Sequence, residues 1–69
     1  MTHELSIQLD GRPHRVAVGT TLAGLLATLG HAPQAVATAV NGDFVPRADR
    51  GHVLRAGDVV IVFQAIVGG

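Results

Sequence analysis

Two residue pairs, Asp10-Gly11 and Asn41-Gly42, constrain this chain more than anything else in it. Each pair tolerates the positive φ that a two-residue hairpin turn demands. Before the first pair, Leu5, Ile7 and Leu9 alternate with Glu4, Ser6 and Gln8. That period of two predicts a strand with one buried face. After the pair, Pro13 to Val18 resumes the alternation through Val16 and Val18. Pro13 lacks an N–H, so it fits the start of an edge strand. The second pair separates Ala35–Val40 from Phe44-Val45, a short return strand stopped by Pro46.

Between the hairpins the period changes. Leu22, Leu25, Leu26 and Leu29 recur at i, i+3, i+4 and i+7, one face of a helix over about 21–29. Thr20 or Thr21 supplies a capping hydroxyl at its start, and Gly30 a left-handed stop. Gly24, in mid-helix, is read as a point of close packing on a sheet. His31–Gln34 is a loop punctuated by Pro33, and Arg47–Leu54 is polar and irregular, with room for one helical turn. Ala56-Gly57-Asp58 is a turn. Val59–Ile66 is then a last strand, apolar on both faces until Gln64, as expected of a central strand with parallel neighbours.

The predicted order is β-β-α-β-β-β. The first and last strands can pair in parallel, because a long crossover containing the helix separates them. A mixed sheet with one helix packed across one face follows, an α+β architecture that resembles the β-grasp, or ubiquitin-like, fold. Residues 1–66 are read as this domain and 67–69 as a C-terminal tail ending in Gly-Gly.

A chain of 69 residues has room for one thin core and little room for a pocket of its own. The formal charge is zero, without the basic excess of a nucleic-acid binder. Cysteine is absent, which excludes disulfides, thiolate metal sites and a cysteine nucleophile. No apolar run is long enough to span a bilayer, and Met1-Thr2-His3-Glu4 does not open a signal peptide, so a cytoplasmic protein is expected. No phosphate-binding glycine loop or nucleophile elbow is present. His3, His14, His31 and His52 are scattered over different elements and are read as solvated, with no metal site. The carboxylates Glu4, Asp10, Asp43, Asp49 and Asp58 are equally dispersed, three of them at turns. No catalytic residue is assigned.

What remains is the terminus. Val67-Gly68-Gly69 extends the last strand as a slim thread, and fully extended it reaches about 10 Å. Such a thread fits a narrow site in another protein, with the carboxylate of Gly69 as the reactive group. Attack of that carboxylate on the α-phosphate of ATP would give an acyl-adenylate, and a sulfur nucleophile would then displace AMP and leave a thiocarboxylate. A frayed end on a plain interaction module is the competing reading.

Three stretches carry a resemblance to a known family: Val40-Asn41-Gly42-Asp43-Phe44-Val45-Pro46-Arg47, Ala56-Gly57-Asp58, and Phe63-Gln64-Ala65-Ile66-Val67-Gly68-Gly69. They resemble the ThiS family, the sulfur carriers of thiamine biosynthesis. The related carriers of molybdopterin synthesis also end in Gly-Gly, but with a proline-containing approach where this chain has Gln64-Ala65. The resemblance implies that a partner similar to ubiquitin-activating enzymes, ThiF, adenylates Gly69 using ATP and magnesium, which this chain does not itself bind. It implies a cysteine desulfurase or rhodanese-like sulfur donor, and delivery of the sulfur to thiazole synthase, ThiG. Gly69 would bear the sulfur, Val67 and Gly68 would lie in the partner's channel, and Phe63 and Ile66 would dock. A ubiquitin-like protein modifier, or a sulfur carrier for another pathway such as molybdopterin synthesis, is the alternative.

Phe63 tests the parity of the last strand. Val59, Ile61 and Phe63 alternate with Val60, Val62 and Gln64, and one set must face the helix. The residues alone leave both choices open, whereas the resemblance implies that Phe63 points outward. Arg47, Arg50 and Arg55 are read as a solvated charged face.

Overall fold

A computed structural model describes residues 3–64. The elements are β1 (Glu4–Leu9), β2 (Arg12–Ala17), α1 (Leu22–Leu29), β3 (Val36–Val40), β4 (Asp43–Val45) and β5 (Val59–Gln64). Short 3-10 turns occupy Pro33–Ala35 and Arg47–Asp49. The sheet order is β2-β1-β5-β3-β4, so the strand that comes last in the chain lies in the middle. It runs parallel to β1, through Gln8 with Val59 and Leu9 with Val60. It runs antiparallel to β3 over five pairs, from Val40 with Val60 to Val36 with Gln64. This is the expected β-grasp arrangement, with one correction: β5 has one parallel neighbour, not two.

Both hairpin turns form where the sequence placed them. Asp10 (φ 51°) and Gly11 (φ 83°) join β1 to β2, and Asn41 (φ 54°) and Gly42 (φ 86°) join β3 to β4. Pro13 lies on the edge strand β2, opposite Gln8. The helix starts at Thr21, whose hydroxyl accepts a hydrogen bond from the Gly24 N–H at 3.0 Å. It stops at Gly30, in the left-handed region at φ 83°. Gly24 does not press on the sheet. A Cβ there would meet the capping Thr21 hydroxyl at 3.3 Å, so the small residue makes room for the cap.

The core is one cluster: Ile7 and Val16 from the first hairpin, Leu22 and Leu25 from α1, Val40, Leu54 and Val60. Each such side chain contributes roughly 1.5–3 kcal/mol by leaving water. Leu54 belongs to the segment that looked merely polar. That segment wraps the start of α1, where the Leu22 N–H donates to the His52 carbonyl at 3.0 Å and the Ala23 N–H to the Arg50 carbonyl at 2.9 Å. Two helix donors with no partner inside the helix are thereby satisfied.

The same segment carries the clearest departure from expectation. Arg50 is not part of a solvated face; it is 4% exposed. Its guanidinium donates to the Pro33 carbonyl at 2.7 Å, the Val36 carbonyl at 2.6 Å and the Thr38 hydroxyl at 3.3 Å. Arg47 and Arg55 are exposed, as expected.

Candidate functional site

Because β5 is central, its two faces have different neighbours. Val60 is fully buried under α1, whereas Val59 is 41% exposed, Ile61 39% and Phe63 46%. These numbers settle the parity: Phe63 points outward. The apolar character of both faces of β5 therefore has two causes, a core on one side and an uncovered patch on the other.

The patch has a defined outline. Across from Phe63 and Ile61 on β3 stand Ala37 and Ala39, too small to cover them. Phe44, 63% exposed, pairs with Ala39 and extends the patch onto β4. On the other flank β1 presents the exposed polar residues Ser6 and Gln8. The outer face is thus divided, apolar over β5, β3 and β4, and polar over β1. An exposed apolar patch with a polar border is the usual mark of a surface that meets another macromolecule.

The start of β5 is fastened on both sides by the two turn residues. The Asn41 side chain accepts from the Val59 N–H at 2.9 Å, while its amide donates to Asp58 Oδ1 at 3.1 Å. On the opposite side Asp10 Oδ1 accepts from the Val62 N–H at 2.9 Å, continuing a parallel ladder that the backbone of β1 has already left. Sequence reasoning placed both residues at turns by their tolerance of positive φ. Their second task, reaching β5, has no local signal, because the partner of Asp10 is 52 residues away.

Asp58 is buried at the head of β5 and held from several directions. Its Oδ2 accepts from the Arg55 N–H at 2.9 Å and lies 3.9 Å from His52 Nε2. Burial pushes its carboxyl up, but the Arg55 N–H and the Asn41 amide, with the charges of His52 and Arg55, outweigh that and hold it below the ordinary carboxylate value. A depressed folded-state pKa stabilises the fold above the unfolded value, about 4, and that contribution is lost as pH falls through the folded value. The melting temperature should therefore fall on acidification below about pH 4, and Asp58→Asn should flatten that limb while lowering stability at neutral pH. Thermal melts across pH check it; an unchanged acid limb in the variant would contradict the assignment.

Of the residues singled out from sequence, Phe63 is placed on the patch. Ile66, Val67, Gly68 and Gly69 lie outside the described residues. The four histidines sit apart, and among the described residues no group of three or more His, Cys, Asp or Glu could hold a metal ion. No described helix is long and apolar enough to cross a membrane.

Comparison with known proteins places these features. The model of the ThiS family matches residues 6–69. The chain is 32% identical over 66 residues to the sulfur carrier protein ThiS of Escherichia coli, covering 94% of this chain and 100% of that one. It is 42% identical over 65 residues to a thiazole synthase of Magnetococcus marinus, covering 94% of this chain but only 20% of that longer protein. The crystal structure of the thiamine biosynthesis protein ThiS from Geobacter metallireducens superposes with a TM-score of 0.79 at 26% identity, covering 94% of this chain and 100% of the other.

Proposed function

This chain belongs to the ThiS family, the sulfur carriers of thiamine biosynthesis, and on that premise we propose that its working group is the carboxylate of Gly69, activated and loaded by other proteins. The observation that carries the reading is that one strand serves both needs. β5 displays Ile61 and Phe63 on an uncovered apolar face, and the chain that follows it leads to Gly68-Gly69. A partner docked on the patch lies beside the segment it must act on.

The chemistry needs no catalytic group from this chain, which acts as a co-substrate and not as an enzyme. A partner resembling ubiquitin-activating enzymes, ThiF, binds ATP and magnesium. The Gly69 carboxylate attacks the α-phosphorus, and pyrophosphate leaves. The terminal sulfur of a persulfide, held by a cysteine desulfurase or rhodanese-like donor, attacks the acyl carbon, and AMP leaves with the bonding pair. A thiol then cleaves the sulfur–sulfur bond, forming a disulfide with the donor and freeing the thiocarboxylate. Thiazole synthase, ThiG, is the acceptor, and the 42% identity with one stretch of a thiazole synthase supports that pairing. All these steps belong to the cytoplasm.

Within this scheme Phe63 and Ile66 dock, Val67 and Gly68 occupy the channel, and Gly69 carries sulfur. Five residues follow Gln64, and extended they span at most about 17 Å. The reactive carboxylate can therefore enter a recessed site while the patch stays on the partner's surface.

Intact-mass analysis tests the reading. Incubation with the adenylating enzyme, ATP, magnesium and a sulfur donor should add the difference between one sulfur and one oxygen atom. Absence of that species, under conditions that load the Escherichia coli carrier, would overturn it. Gly-Gly remnants on lysines of other proteins would instead identify a protein modifier.

A further inference from the structure

The ladder on the β1 side of β5 stops short of the end of β5. Backbone groups alternate direction along a strand. The Asn41 N–H donates to the Val59 carbonyl on the β3 side at 2.7 Å, and the Asp10 N–H donates to the Val60 carbonyl on the β1 side at 2.9 Å. The backbone groups of Val60, Val62 and Gln64 therefore point toward β1, and those of Ile61 and Phe63 toward β3. Strand β1 pairs with β5 only as far as Leu9 with Val60. The chain then turns at Asp10-Gly11, and the Asp10 carboxylate meets the Val62 N–H in place of a backbone carbonyl. Beyond it, the Val62 carbonyl and the Gln64 N–H have no partner on this side among the described residues.

We propose that this half-edge of β5 is a strand-addition site, which takes an extended segment of the adenylating partner in line with β1 and just past Asp10. The assignment rests on the functional reading above. Entry of Gly69 into a recessed site strips water from the backbone that leads to it. Each residue there brings one N–H and one carbonyl that must be paired. The side chains of Val67, Gly68 and Gly69 offer nothing that can pair with them. An extended partner segment supplies both donors and acceptors, as in other strand-addition complexes. The half-edge is where such pairing starts, because it is continuous with that segment. Phe63 stands on the adjoining apolar face, so the partner's segment should carry an apolar residue on that side.

The recognition runs through the backbone, which gives it a distinctive signature. In the free chain the Gln64 amide should exchange with solvent faster than those of Ile61 and Phe63. On binding the adenylating enzyme it should slow by about tenfold or more. Gln64→Pro removes a donor that has no partner on this side among the described residues, so the melting temperature should hold. Affinity for the enzyme should drop about tenfold, the scale of one lost interfacial hydrogen bond. Gln64→Ala, which keeps the N–H, should bind within about twofold of the parent. Equal losses in both variants, or no loss in either, would overturn strand addition. If Gln64→Pro unfolds, hydrogen exchange of the unsubstituted complex decides: an unslowed Gln64 amide overturns the assignment. A chain that is never loaded with sulfur overturns the functional reading together with this one. A loaded chain with an unprotected Gln64 amide overturns strand addition alone.

Discussion

Deleting Gly68 and Gly69 is expected to abolish thiocarboxylate formation completely while leaving the melting temperature unchanged. Among the described residues the core cluster draws on positions from Ile7 to Val60, and glycine has no side chain to add to it. The deleted chain still ends in a carboxylate, on Val67. That group lies two residues too early, a displacement of about 7 Å. Misplacing a reacting group by only about 1 Å can already cost a hundredfold in rate. A gentler variant separates reach from shape. Gly69→Ala restores the reach but adds a Cβ beside the acyl carbon, where the partner's channel must close around the adenylate. Its loading rate should fall about a hundredfold, with much less change in binding. The measurements are intact mass after loading, and growth without thiamine of a strain that depends on this carrier. Normal growth on the deletion variant would mean that the terminus is not the working group.

The second large effect concerns stability. Arg50→Ala should cost about 2–4 kcal/mol, because the Val36 and Pro33 carbonyls lose their charged donor inside the fold. A domain of this size has only about 3–10 kcal/mol in total, so the variant should be partly unfolded at physiological temperature. Arg50→Lys keeps the charge, but one ammonium cannot serve three acceptors placed to match a planar fork, and most of the loss should persist. The cost should be nearly independent of salt, since a buried group is little screened. Urea titration at low and high ionic strength checks both points. A surface arginine would show a cost below about 0.5 kcal/mol, and that result would refute the buried role.

Arg50 also shows where the sequence stopped being readable. An arginine among polar residues carries no local mark of burial. Its acceptors lie 12 to 17 residues earlier, brought together only when β3 and the Pro33–Ala35 turn pack against the loop after β4. The turns were legible for the opposite reason. Positive φ at Asp10-Gly11 and Asn41-Gly42 is a property of the residues themselves, and so is the four-leucine face of α1. Phe63 fell between these cases. A strand apolar on both faces cannot declare which face is buried, and only the position of α1 over Val60 decides it. The Gly-Gly terminus is legible as a motif, and the chemistry proposed for it rests on the family. Gly24 stands out in the sequence as a glycine in mid-helix, but the space it preserves belongs to the Thr21 hydroxyl and not to the sheet.

The placement of β5, last in chain order and central in space, has a consequence for biogenesis. While the polypeptide emerges from the ribosome, both hairpins and the helix are available early, yet the two halves of the sheet share no neighbour until the closing strand arrives. Whatever follows Gln64 is synthesised later still. A product truncated before β5 therefore lacks a finished sheet as well as the end that the proposed reading has partner enzymes load, so on that reading they meet the glycines only on molecules already competent to fold.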